Sequence, residues 1–113
     1  MRNVDRKAAI REYKARKIAR GVFAVRCLAT AKAWVGASPN LAGARNAQWF
    51  TLRQGLHRNA RLQAEWNAHG ESAFEFQVLE QIEDDVSDNR LRDVLKERKL
   101  RWVGQLGAEA LLP

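Results

Sequence analysis

The chain reads as an α+β sandwich, a small antiparallel sheet of three strands packed against helices, and three observations predict it. Two short runs rich in β-branched and aromatic residues, Val22 to Leu28 and Ala33 to Gly36, are separated by only four residues, as in a hairpin. Two segments between Ser38 and Gly70 carry the start and stop signals of helices. Phe74, Phe76 and Val78 then alternate with Glu75 and Gln77, the pattern of a half-buried strand. The order is helix, strand, strand, helix, helix, strand, helix.

Val4, Ala8, Ile10, Tyr13 and Ile18 form an imperfect stripe between basic positions, which predicts a helix over residues 4–18. Gly21 breaks it, and the hairpin strands follow, joined by Ala29 to Lys32. Ser38, Pro39 and Asn40 have the form of a helix start, a hydroxyl cap followed by proline at the first helical position. That helix should run to about Gln54, where Gly55 can take the left-handed stop. A second helix, from about Arg58 to His69, ends the same way at Gly70. After the third strand and the acidic turn Glu83 to Asp85, Ser87 can cap a last helix with Leu91, Val94, Leu95, Trp102 and Leu106 on its apolar side. Trp49, Trp66 and Trp102 fall on helix faces that should be buried. No repeat, linker or low-complexity segment interrupts this order.

At 113 residues and 46% hydrophobic, the chain suffices for one domain with one core and falls short of two. The first twenty residues carry charge every two or three positions and lack the apolar stretch of a signal peptide, and no run approaches the length of a membrane span. A single cysteine, Cys27, rules out an internal disulfide and a multi-thiolate zinc site. These features point to a soluble, cytoplasmic protein. The net charge of +7 is concentrated at one end. Residues 1–20 hold eight basic side chains, among them Arg11, Lys14 and Lys17, against Asp5 and Glu12, and so contribute +6, whereas the other 93 residues add +1. The sequence divides into a basic helical arm, residues 1–20, and a near-neutral domain, residues 21–113. Such an arm suits a polyanion, and nucleic acid phosphate is the commonest one inside a cell. A solvated, charged helix without a partner would look the same.

Gly21-Val22-Phe23 and Trp34-Val35-Gly36, about ten residues apart on the two short strands, resemble the paired triads that name the GIY-YIG nucleases. The resemblance continues through Asn40-Leu41, Leu52-Arg53-Gln54-Gly55 with His57 and Asn59, Leu62-Gln63 with Trp66-Asn67, His69-Gly70, Phe74-Glu75-Phe76 and Trp102-Val103. It covers roughly residues 21–106, and the ordered set at matching spacings carries it, not any one motif. The chain is most similar to small stand-alone bacterial members and to the nuclease domain of phage homing endonucleases.

What the resemblance implies for chemistry depends on four positions. The first triad of the family ends in a tyrosine that helps activate the attacking water; here it is Phe23, with no hydroxyl. The second begins with a tyrosine; here it is Trp34, whose indole can donate a hydrogen bond but cannot act as a base. The arginine that stabilises charge on the phosphate falls at Ala44, eight residues after Gly36. Arg45 follows, but one helical step turns it by about a hundred degrees. The metal-binding glutamate, three residues before Trp102, is Lys99, which removes the ligand and adds a like charge. Glu97 lies two residues away and faces nearly the opposite direction. The only tyrosine, Tyr13, sits on the basic arm outside the matched region.

The resemblance thus implies a member with degenerate catalytic positions, a nucleic-acid-binding domain that favours DNA over RNA and cuts phosphodiesters poorly or not at all. Its binding residues would be Arg11, Lys14 and Lys17 of the arm, with Arg53, His57, Arg58, Asn59, Arg61 and Gln63 at the junction of the two central helices, where cations and amides suit phosphates and base edges. A solvated helix junction with caps would show the same residues. His57 matches a histidine of the homing-endonuclease relatives, or is a cap; His69 beside Gly70 suits a helix C-terminus. Phe23 and Trp34 read as core first and as a stacking face for a base second. Gly21 and Gly36 mark either the floor of a phosphate-binding cleft or the places where strands end. No metal ligands and no cofactor are expected. Two alternatives stay open: an active endonuclease with a rearranged site using Arg45 and Glu97, which would require Mg²⁺ or Mn²⁺, and a protein-interaction module whose cleft serves a protein partner or a homodimer.

Overall fold

The computed structural model describes residues 18–83 and 85–111. The helix expected over residues 4–18, with Tyr13 and the basic Arg11, Lys14 and Lys17, lies outside them apart from Ile18, which is exposed. The elements are β1 (Gly21–Cys27), β2 (Lys32–Ser38), α1 (Leu41–Gln54), α2 (Ala60–His69), a single 3₁₀ turn (Glu71–Ala73), β3 (Phe74–Gln81), α3 (Asp88–Leu106) and β4 (Glu109–Ala110). They form an α+β architecture around one sheet. Among the described residues, the sheet has four strands in the order β3-β1-β2-β4, not the three expected. β1 pairs antiparallel with β2 and with β3, and β4 lies parallel to β2 with Trp34 opposite Glu109 and Val35 opposite Ala110. A strand of two residues carries no alternation for a sequence reading to find.

β1 lies between two partners, and only Arg26 on it escapes full burial. Its alternate side chains enter two cores. Phe23, Val25 and Cys27 join Trp34 of β2 and meet Trp49 and Leu52 of α1 and Leu62 and Trp66 of α2. Val22 and Ala24 join Val35 and meet Trp102 and Val103 of α3 on the other face. Ile82, Leu91 and Leu95 form a smaller patch at the start of α3. The result is three layers, two helices over one face and one over the other. Each large side chain buried this way contributes about 1.5–3 kcal/mol.

Several expectations shift by a residue or two for identifiable reasons. Ser38 ends β2, and the cap of α1 is Asn40, whose Oδ1 accepts from Gly43 N at 2.9 Å. Ser38 instead braces that turn, its hydroxyl accepting from Asn40 N and donating to Asn40 O. α2 begins at Ala60, not Arg58, because Asn59 caps it by accepting from Leu62 N at 3.0 Å. Gly55 takes the left-handed stop expected of it, at φ 75°, whereas Gly70 combines φ 85° with ψ 163° and leads into the 3₁₀ turn. Ser87 stands at the cap position of α3 without a side-chain cap bond. Leu106, expected on the apolar side, is 37% exposed, and Val78, on an outer strand, is 50% exposed.

The two glycines of the triads serve packing. A Cβ on Gly21 would lie 2.0 Å from the carbonyl oxygen of Glu80, where β3 crosses closest, beside a register shift between Val22 and Phe23. A Cβ on Gly36 would meet the ring of Phe23 at 2.6 Å. The two residues before β1 bond to the rest of the fold. Leu41 N donates to Ala19 O and Ile82 N to Arg20 O, while the Arg20 guanidinium donates to the carbonyls of Glu83 and Val86. Among the described residues, no helix is long and apolar enough to cross a membrane.

Candidate nucleic-acid interface

A cleft of about 650 Å³ opens between the second half of α1, the α1–α2 connection and the segment 109–111. Gln48 and Thr51 form one wall, His57, Arg58, Asn59 and Arg61 another, and Glu109 to Leu111 the third. The connection is built by its own polar groups. His57 N donates to Gln63 Oε1 at 2.9 Å, and Asn59 N donates to His57 Nδ1 at 3.0 Å. With Nδ1 accepting, the ring proton belongs on Nε2, which faces Gln48 Oε1. Burial holds the pKa of His57 below its ordinary value, so the ring is neutral at pH 7.

The six junction residues separate into four environments. Arg58 and Arg61 are exposed on the wall of the cleft, and the Arg61 guanidinium stands 3.5 Å from Glu109 with its side chain 81% exposed, a pair that solvent screens. His57 and Asn59 are half-buried beside them, and Asn59 Nδ2 donates to Glu109 Oε2 at 3.3 Å. Gln63 is buried: its Nε2 donates to Leu52 O and Asn67 Oδ1, and its Oε1 accepts from His57 N. It ties α1, the connection and α2 together, and no edge of it is left for a base. Arg53 makes a two-point pair with Glu71 at 2.9 and 2.6 Å and is not a wall of the cleft.

Of the four family positions, Trp34 and Lys99 bond to segment 109–111, and Phe23 and Ala44 belong to or pack on the core that includes Leu111. Phe23 is buried and stacked on Phe76, with ring centroids 4.9 Å apart. Trp34 is buried too, and its indole N–H donates to Glu109 Oε1 at 3.0 Å. Both aromatics are core, which leaves no face for a base. Ala44 packs against the same core, which includes Leu111. Lys99 Nζ donates to the carbonyl oxygen of Leu111 at 2.9 Å, and burial, with the charge of Lys96 behind it, lowers its pKa. The two proposed substitutes have partners of their own: the Arg45 guanidinium sits 5.4 Å from the Trp49 ring centroid, and Glu97, with its side chain 65% exposed, pairs with Arg101 at 3.7 Å.

Sequence reasoning missed Glu109, which joins Trp34, Asn59 and Arg61 across the cleft. The signal was faint, a Gly107 stop after α3 followed by Glu109 and Leu111 two residues apart. It also missed Gln48, whose partner His57 is nine residues away.

No family model and no curated protein matches the chain. Two solved structures do. The catalytic domain of the homing endonuclease I-TevI superposes with a TM-score of 0.69 at 23% identity, over 83% of this chain and 99% of that one. A mutant form of the catalytic domain of the intron endonuclease I-TevI superposes with a TM-score of 0.68 at 24% identity, over 80% of this chain and 86% of that one. I-TevI is a GIY-YIG enzyme, and by this likeness the chain has a GIY-YIG-like fold.

Proposed function

We propose that this chain is a nucleic-acid-binding domain, with DNA favoured over RNA, that has lost the capacity to cut. The likeness to an endonuclease domain supports a nucleic acid as its ligand. The observation that carries the loss is Lys99: at the position matched to the family's metal ligand, an ammonium group is held against Leu111 O. A cation there repels Mg²⁺ and offers no oxygen to it. Phe23 and Ala44, without a hydroxyl and without a guanidinium, leave the attacking water and the developing phosphate charge without help. What remains around the cleft is cationic and hydrogen-bonding, Arg58 and Arg61 with His57 and Asn59, which suits a phosphate backbone. An active site rebuilt on Arg45 and Glu97 finds no support in their placement, one over Trp49 and the other paired with Arg101.

Two measurements test this reading together. Anisotropy titration with duplex DNA at several salt concentrations should show binding that weakens steeply with salt. Incubation of supercoiled DNA with the protein and Mg²⁺ or Mn²⁺ should leave it uncut. Absence of affinity for DNA and RNA even at low salt would leave the protein-interaction module as the account. Metal-dependent nicking that disappears in Glu97→Ala would establish the rearranged nuclease instead.

A further inference from the structure

At the far end of β1 from Gly21, three donor groups meet that no part of the nucleic-acid reading uses. Cys27 ends β1, fully buried, with its sulfur turned toward α2. Glu65 and His69 stand one helical turn apart on α2, on a shared face. One thiol sulfur, one carboxylate oxygen and one imidazole nitrogen from these residues all lie within 4.8 Å of one another. Glu65 Oε1 is buried without a hydrogen-bond partner, at 3.5 Å from His69 Nε2, while Oε2 takes the Lys32 ammonium at 3.2 Å. A buried carboxylate oxygen without a donor is costly, and native structures seldom keep one.

We infer that Cys27, Glu65 and His69 form a binding site for a divalent transition-metal ion of the zinc class. The donor set decides the class: sulfur and imidazole nitrogen with one carboxylate oxygen suit Zn²⁺ and are poor ligands for Mg²⁺ or Ca²⁺. Three protein ligands leave a fourth tetrahedral position for water. Tetrahedral Zn²⁺ holds such donors about 3.3–3.6 Å apart, so the present spread closes by about an ångström. Rotation of Glu65 and His69 can supply that movement, since both reach in from a helix surface, whereas Cys27 is fixed by the sheet. Binding forms a metal–sulfur bond and releases the thiol proton to solvent, and Lys32 keeps its hold on the other oxygen of Glu65. The bound ion pins the end of β1 to the last turns of α2. It lies on the helix-pair face of the sheet, whereas α3, which carries Lys99, packs on the other.

Cobalt(II) is the probe, added to the reduced, chelator-treated full chain. A one-to-one complex should show the near-ultraviolet charge-transfer band of a thiolate ligand and the visible bands of a four-coordinate ion. Zn²⁺ should displace it and millimolar Mg²⁺ should not. Cys27→Ala should abolish the thiolate band. His69→Ala, at a side chain near the surface, should weaken binding by about a hundredfold or more, since even outer partners of metal ligands are worth ten to a hundredfold. Circular dichroism of each variant establishes that it is folded, and His69→Ala stands alone if Cys27→Ala is not. Failure to bind cobalt, a spectrum without the thiolate band, or unchanged affinity in His69→Ala would overturn the site. None of these outcomes bears on DNA binding.

Discussion

Among the described residues, Glu109 is the one carboxylate in a cleft whose other polar walls are cationic or neutral. Its two oxygens hold Trp34, Asn59 and Arg61. Glu109→Gln keeps an acceptor for the buried indole but removes the charge that opposes phosphate and detains Arg61. Affinity for duplex DNA should rise severalfold and the log-log salt slope should steepen by about one, read by anisotropy. Unchanged affinity and slope would remove Arg61 from the interface. His57 carries a second test. The folded protein resists protonating this ring while the unfolded chain takes a proton near its ordinary pKa of 6.5, so the stability it contributes is complete above that value and drains as pH falls below it. Thermal midpoints at about pH 7.5 and about pH 5.5 should therefore fall further in the wild type than in His57→Gln. Equal falls would mean that the ring titrates alike in both states. Single residues were unevenly legible. Phe23 and Trp34 read as core because large aromatics on a two-sided strand have nowhere else to go. Gln63 read as a surface amide, because nothing in its identity says that three internal partners await it.

At the scale of elements, strands and helices with long patterns were readable and their ends were not. α1 and α2 start where asparagine side chains accept from the backbone, at Asn40 and Asn59, and for α1 the serine two residues upstream, Ser38, competes for that role in the sequence. β4 was invisible for a different reason: two residues gain strand geometry from the neighbour they pair with, not from their own propensity. What anchors it is Leu111, 2% exposed in the core beside Trp34, its N–H donating to Val35 O. Leu111→Ala should cost about 2–4 kcal/mol of unfolding free energy in urea titration. A loss below about 1 kcal/mol would mean that the segment rests on the surface without supporting the fold. The same variant loosens the carbonyl that holds Lys99, so it links the stability of β4 to the geometry of the cleft.

At the scale of the whole molecule, the net charge is unevenly spread along the chain. Residues 1–20 contribute +6 of the net +7, while the remaining residues are near neutral. On the proposed function, deleting residues 1–17 should leave a cooperative transition and flatten the salt slope for DNA by about three to five units, because the helix expected there from sequence would show only part of its charge to a ligand. Deleting residues 1–20 should lower the thermal midpoint as well, since it removes the carbonyls of Ala19 and Arg20 and the guanidinium that spans the turn before α3. Identical midpoints for the two truncations would mean that these bonds add nothing to the stability of the fold. The family pattern began at Gly21, which is why the sequence boundary fell there; the backbone bonds of the two preceding residues leave no mark on composition.

The central place of β1 also bears on how the chain is made. Its partner β2 follows at once, but β3, which must cover its other edge, emerges only after α1 and α2. During that interval a nascent chain presents an apolar strand, Val22 to Val25, with one row of amide groups open to any other strand it meets. Such a species associates with its own kind at high concentration, and more so the longer β3 is delayed. Soluble yield in a cell should therefore respond to translation speed through residues 28–73 and to chaperone supply more than the modest size of the product suggests.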